Sequence, residues 1–513
     1  MKKNIIYLFL VFLSIQTITS CKKDFLDTNS SINVQTNAIF SDLPSAQTAL
    51  DGIYRNMYEY LPTDLGNAAY DNGSTLHADF GQKANDLVID LMGNDMVVNK
   101  QGYGWFNRDY QYTDRANTAD QRRPHNIWRY YYILINNANA ILDNIDKVPG
   151  DADSKNAIKG QALAIRAHSY FYLINFFQQT YKGNENKPGV PLYTSVPALP
   201  SGAKGRGTVQ QVYTQIVADL VLADSLLVNF TQDHLSHINQ QVADGIMARV
   251  ALQMEDYTNA AKYADKAING PTAYLLMDAS TYVSGFNSIT NPEWMWGMAI
   301  NADQSTAYAS FFSHMDASAN DYAQLGGQKK ITKELYDHIG TNDVRLNVFV
   351  APGAGTANTP EYCQTKFTFS DPSAFLGDYL FMRASEMYLI KAEALARTGD
   401  EVNAIATINF LAQQRDPTYT TASTLSGTAL VNEILLQRRI ELWGEGFSYF
   451  DIKRLKTGLN RPQNVSPVTG NHGSPNFDPK IYSFSDGDPR LCLLIPQKEF
   501  DTNPKFTAAD QNP

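Results

Sequence analysis

Two distant stretches of the chain repeat the same spacing of small residues, and this repeat restricts the possible folds more than any other feature. In each stretch a step of 12 residues is followed by a step of 7 residues. The positions are Ala248, Ala260 and Ala267 in the first stretch and Ala392 and Ala404 in the second, where the larger Leu411 takes the third place. Small residues at such positions allow two antiparallel helices to approach closely. Gly399-Asp400 marks the turn between the helices of the second pair.

Further segments have helical periodicity. Leu163, Ala167, Tyr170, Ile174 and Phe177 recur at steps of 4, 3, 4 and 3, which places them on one helical stripe. The alanine spacing is similar to that of the tetratricopeptide unit. We therefore predict a mainly α protein, a superhelix of about four tetratricopeptide-like helix pairs. The pairs are expected roughly over residues 38–60, 126–181, 208–270 and 378–457.

The remaining stretches are rich in Gly, Asn, Asp, Pro and aromatic residues, with short apolar runs such as Trp294–Ile300. They cover residues 61–125, 271–377 and 458–513. This composition predicts an irregular, loop-rich lobe with short β-strands, inserted between the helical pairs. The lobe and the helical pairs together are expected to form a single domain over residues 21–513.

The N-terminus has the features of an export signal. Lys2 and Lys3 precede an apolar segment that is too short to span a bilayer of about 30 Å as a helix. Ile18-Thr19-Ser20-Cys21 is similar to a bacterial lipobox, in which the cysteine is acylated and becomes the mature N-terminus. We therefore predict a signal peptide over residues 1–20, a lipid on Cys21 and a polar tether over residues 21–37. Two or more acyl chains anchor a protein stably to a membrane.

Composition excludes several classes of function. The net charge is −10, so the chain lacks the basic character of a nucleic-acid-binding protein. Cys363 and Cys492 can pair outside the cytoplasm, although two free buried thiols are favoured, and their spacing suits no zinc site. The chain contains no phosphate-binding glycine loop, no nucleophile elbow and no zinc-protease motif. We predict no cofactor, no metal ion and no catalytic residue.

Several blocks of sequence resemble the SusD/RagB family of outer-membrane lipoproteins, and the resemblance covers essentially the whole chain. The blocks are Phe25-Leu26-Asp27, the helices that contain Trp128–Asn139 and Ala162–Phe171, the run Arg383–Ala394, the run Arg438–Gly446 with Phe450–Arg454, and the C-terminal Ile495-Pro496 with Asn503-Pro504. Two positions depart from the family pattern: Leu494 stands where a proline is usual, and Ser448 where an arginine is common.

The resemblance implies a nutrient-binding protein, most often one that captures an oligosaccharide or polysaccharide. It also implies a partner, a TonB-dependent β-barrel transporter, and a location on the surface of the outer membrane. Within these blocks, Arg166, Glu386, Glu393 and Glu441 lie on otherwise apolar helices. An unpaired buried charge costs several kcal/mol, so we predict that these four form buried ion pairs or cap carbonyl groups.

The segment 101–110 is the first choice for a ligand platform, because it combines aromatic rings, polar side chains and glycines. Sugar rings stack on flat aromatic side chains, while their hydroxyl groups bond to amides and charged groups. The residues predicted to contact ligand are Tyr103, Trp105, Asn107, Arg108 and Tyr110, with Tyr308 and Asn320 from a second segment. The alternative is that Trp105 and Phe106 pack in the core of the lobe and do not contact ligand. For Trp294 and Trp296 we favour the core for at least one ring.

Three other functions remain compatible with the sequence: a peptide-binding member of the same family, a lipidated exported glycosidase, and a structural helical-repeat adaptor. Acidic pairs that suit a glycosidase are always available among 52 Asp and Glu residues.

Overall fold

A computed structural model describes residues 39–59, 77–113, 123–198, 201–466, 469–473, 477, 479 and 481–513. The predicted signal peptide, the predicted acylation site Cys21 and the predicted tether lie outside these ranges. None of the helices in these ranges combines the length and the apolar character needed to cross a membrane.

Helices dominate the described chain. They are α1 Leu43–Asn56, α2 Gln82–Leu91, α3 Asn107–Tyr110, α4 Arg123–Asn144, α5 Ala152–Phe177, α6 Val209–Leu226, α7 Gln240–Gln253, α8 Tyr257–Asn269, α9 Ala279–Tyr282, α10 Phe311–Met315, α11 Lys333–Tyr336, α12 Ala384–Arg397, α13 Glu401–Arg415, α14 Gly427–Glu441, α15 Ser448–Arg454 and α16 Gln497–Thr502. A π-helical turn covers Ala323–Gly327. The mainly α prediction is confirmed.

The strands are short and pair antiparallel in two-stranded sheets. They are β1 Met96–Val98 with β5 Lys329–Ile331, β2 Pro188–Pro191 with β3 Arg206–Thr208, β4 Trp294–Met298 with β6 Tyr379–Arg383, and β7 Leu459–Asn460 with β8 Ser483–Phe484. Trp294 and Trp296 on β4 are both buried, which confirms the prediction that at least one of these rings is in the core.

The long helices stack in sequence order. α4 packs on α5, α5 on α6, α6 on α7 and α7 on α8, and α8 then packs on α12, which pairs with α13 and α14. The repeated small residues lie at these contacts, where Ala248, Ala260 and Ala404 are completely buried. Thr208 and Gln211 form the capping box that begins α6. Gly399 adopts a positive φ in the turn between α12 and α13.

Helix α2 lies within the range 61–125 that we expected to be loop-rich. All ten of its residues are buried, although half of them are polar. The polar side chains are paired: the Gln82 side-chain amide donates to Asp86, and Lys83 lies 3.2 Å from the same carboxylate. Buried polar groups are tolerated when they are bonded in this way. The helix was missed because its polar residues suggest a segment that faces solvent.

The predicted buried ion pairs are present. Arg166 forms a bidentate pair with Asp219, and Glu386 forms one with Arg249. Glu393 binds Arg454. Glu441 lies in a larger network, which comprises Glu293, Glu441, Glu445, Asp343, Arg345, Arg383, Arg415 and Lys366. Cys363 and Cys492 are both buried and do not form a disulfide bond with each other, as favoured from the sequence.

Candidate ligand-binding site

Aromatic rings from different parts of the chain meet on the surface of the lobe. We call them the aromatic platform, and they are His77, Tyr103, Trp105, Tyr308 and Tyr322. The Tyr322 ring lies at the centre, with its centroid 5.2 Å from that of Tyr103, 5.7 Å from that of Tyr308 and 6.2 Å from that of Trp105. A hydrogen bond of 2.5 Å joins the Tyr322 hydroxyl to His77 Nδ1.

The platform is accessible and is not flat. Tyr103 is 67% exposed and Tyr308 is 45% exposed, while Trp105 and Tyr322 are half-buried. The planes of Tyr103, Trp105 and Tyr308 are inclined to the Tyr322 plane by 68°, 64° and 55°. Large exposed aromatic side chains in one cluster mark a binding surface, because solvent exposure of such rings is unfavourable.

The platform rests on a buried aromatic layer. His314 on α10 stacks between Tyr322, at 5.1 Å, and Phe80, at 5.6 Å, and Phe106 packs edge-on against the same imidazole. Burial, with the nearby Lys329 charge, lowers the pKa of His314 well below its ordinary value. The imidazole is therefore neutral, and its Nε2 lies 2.6 Å from the His77 carbonyl oxygen. This bond holds the His77 backbone on the layer below.

Two glycines bring the separate halves of the platform together. Gly102 has a φ of 54° and Gly326, in the π-helical turn, has a φ of 146°. A Cβ on Gly102 would lie 2.6 Å from the Gly326 carbonyl oxygen. The backbone of the loop that carries Tyr103 therefore packs directly on the turn that begins after Tyr322, which only glycine permits at both positions.

The structure places the residues predicted from the sequence in two groups. Tyr103, Trp105 and Tyr308 lie in the platform, while Arg108, on the one-turn helix α3, and Asn320 are exposed. Asn107 and Tyr110 are instead buried on the one-turn helix α3. The Asn107 side chain donates to the Gln101 carbonyl oxygen, and the Tyr110 hydroxyl is bonded to His472. We therefore leave these two residues out of the proposed site.

The sequence left open whether Trp105 and Phe106 contact ligand or fill the core of the lobe, and the structure gives a different answer for each residue. Phe106 is buried, and the Arg123 guanidinium lies 4.9 Å from the centre of its ring. Trp105 is half-buried and contributes to the platform. Sequence reasoning missed His77 and Tyr322. Tyr322 lies two residues after Asn320 in a segment already considered, but nothing in the local pattern distinguishes it from a core tyrosine.

The Gly102–Gly326 contact makes a specific prediction. Gly102→Ala is expected to lower stability by about 1–3 kcal/mol, because the added methyl group overpacks a backbone contact. Thermal unfolding measures this loss. Gly104→Ala is the matched control, since Gly104 also has a positive φ (88°) but has no neighbouring atom within 4 Å of an added Cβ. Equal losses in both variants would show that backbone strain alone, and not the contact, is responsible.

Comparison with known proteins identifies the family of this chain. A family model described as "Starch-binding associating with outer membrane" matches residues 24–252, and one described as "SusD family" matches residues 351–513. The chain belongs to the SusD/RagB family. This assignment confirms the resemblance inferred from the sequence blocks, and the description of the first model associates the family with the outer membrane.

Individual SusD-like proteins agree with this assignment. The chain is 28% identical to a SusD-like carbohydrate binding protein from Bacteroides vulgatus, with a TM-score of 0.78 over 92% of this chain and 99% of that chain. It is 24% identical to SusD-like protein P2 of Formosa agariphila, over 68% of this chain and 74% of that protein. Surface glycan-binding protein A of Bacteroides thetaiotaomicron, in complex with laminarihexaose, has the same fold at 17% identity, with a TM-score of 0.64 over 91% of this chain and 99% of that chain.

Proposed function

We propose that this protein is a non-catalytic, surface-exposed lipoprotein that captures a glycan and delivers it to a TonB-dependent outer-membrane transporter. The observation that carries the proposal is the aromatic platform, with its exposed Tyr103 and Tyr308 rings around Tyr322. Two SusD-like structures named for glycan binding support it, one described as laminarin binding and one in complex with laminarihexaose.

The chemistry of the platform suits a sugar. The apolar C–H faces of a pyranose stack on aromatic rings, and tyrosine also carries a hydroxyl that bonds to sugar hydroxyls. Arg108 and Asn320 are exposed and close in sequence to Trp105 and Tyr322, and they would supply further donors and acceptors. Because the rings are inclined to one another, they offer separate faces to successive sugar units of a chain.

Anchoring and partnership form the second part of the proposal. A lipid on Cys21 would tether the protein to the outer membrane, and residues 21–37 would connect that anchor to the rest of the chain. The protein would then remain beside its transporter while the protein itself moves between open and closed positions. The helical stack would provide the docking scaffold, as the family resemblance implies, and the lobe would hold the ligand.

Calorimetric titration of the soluble protein, beginning at residue 22, tests the binding proposal. A panel of uncharged polysaccharides and oligosaccharides, including laminarin and starch, is titrated in parallel with mixed peptides. We expect saturable binding to at least one glycan, with no change in its chain length after prolonged incubation. Binding to peptides alone would favour a peptide-binding role, and shortening of a labelled oligosaccharide would favour a glycosidase. Binding to neither class would favour an adaptor.

A further inference from the structure

Left-handed backbone conformations concentrate at the aromatic platform. Eight non-glycine residues of the described chain have a positive φ, and three of them support platform rings. Phe106, with a φ of 62°, follows Trp105; Ala307, with a φ of 49°, precedes Tyr308; and Phe375, with a φ of 55°, packs against Tyr308 at 5.1 Å. Such conformations are strained for residues that carry a Cβ and are concentrated at functional sites.

Ala307 lies in a turn that is fastened at both ends. Its backbone N–H donates to Ser305 Oγ, at 3.3 Å, and the Ser305 hydroxyl donates to the Ala374 carbonyl oxygen, at 3.2 Å. The Ala309 N–H closes the turn on the Thr306 carbonyl oxygen, at 3.1 Å. The turn that presents Tyr308 is therefore bonded to the loop that contains Phe375.

We propose that Ala307 is a positioning residue for ligand binding, acting through Tyr308. Glycine would be less strained at this φ, but it would allow the turn many more conformations. The Cβ of Ala307 excludes most of these conformations, so that the Tyr308 ring is held in its binding orientation before the ligand arrives. A ring that is already ordered does not lose conformational entropy on binding. This inference rests on the proposed function, because it assigns the platform as the glycan site.

The substitution Ala307→Gly separates positioning from stability, because the two effects have opposite signs. Relief of strain is expected to leave the melting temperature unchanged or to raise it by about 1 °C. Affinity for the glycan identified by titration is expected to fall about threefold, since the ligand must now order the turn. Hydrogen–deuterium exchange of the ligand-free protein should become faster in peptides that cover residues 302–312.

Lys456→Gly is the matched control, because Lys456 also has a positive φ, of 54°, but follows helix α15 outside the platform. It should change neither the affinity nor the exchange of residues 302–312. If Ala307→Gly changes neither the affinity nor the exchange of residues 302–312, the proposal is overturned. It is also overturned if the melting temperature falls while the exchange stays unchanged, because that result indicates a packing role for Ala307. If the wild-type protein binds no glycan, the proposed function fails, and the ligand-free exchange comparison decides whether Ala307 orders the turn.

Discussion

Replacing Tyr322 with alanine is expected to weaken glycan binding by at least about thirtyfold, which corresponds to a loss of about 2 kcal/mol for a central aromatic anchor. Tyr322 is the ring that contacts every other member of the platform, and it covers His314 below. Its removal takes away a stacking surface and also frees Tyr103 and Tyr308 to reorient. Calorimetric titration with the glycan that binds the wild-type protein measures the loss.

Two control variants make this result specific. Tyr322→Phe keeps the ring and removes only the hydroxyl bonded to His77, so affinity should fall by less than about fivefold, the value of one hydrogen bond. Phe410→Ala removes a half-exposed ring from α13 in the helical stack, and it should leave affinity unchanged. Full affinity in Tyr322→Ala would show that the glycan binds somewhere other than the platform.

Arg383→Met is expected to lower the free energy of unfolding by about 3–5 kcal/mol, because it takes one counter-charge away from three buried carboxylates. The Arg383 guanidinium donates to Glu293 at 2.7 Å, to Glu441 at 2.7 Å and to both oxygens of Glu445 at 2.7 and 2.8 Å. Burial alone would raise the pKa of Glu441, but the arginines of the network hold it well below its ordinary value. The network is therefore ionised at neutral pH.

Denaturant unfolding at pH 7 measures this effect, and a surface pair supplies the comparison. Arg55 lies 2.9 Å from Glu59 on the surface, so Arg55→Met should change stability by less than about 1 kcal/mol. If Arg383→Met unfolds at the same denaturant concentration as the wild type, the buried carboxylates do not require the charge of Arg383.

The helical scaffold could be predicted from the sequence because its signals are local and repeated. Ala248 and Ala260 lie where their spacing placed them, and the isolated charges Arg166 and Glu393 found partners because a buried charge requires one. Helix α2 escaped prediction since its polar residues suggest a solvent-facing segment. Only the completed fold shows that their partners come from within the core.

The binding site could be predicted only in part. The sequence identified the two loops that carry Trp105 and Tyr308, because aromatic and polar residues lie close together in both, with glycines in the first. It could not show that Asn107 and Tyr110 point inward, since a single turn of helix has no periodicity to read. Nor could it show that Tyr322 is central, because that role depends on a π-helical turn and on a backbone contact made with a distant loop.

The contact between Gly102 and Gly326 also has a consequence for the order of folding. These residues are roughly 220 positions apart, so their meeting closes a very long loop and carries a large entropic cost. Neighbouring helices of the stack, in contrast, can pair as soon as each hairpin is complete. The platform should therefore be among the last parts of the chain to assemble, and a partly folded molecule with an intact helical stack would have no surface on which to hold a ligand.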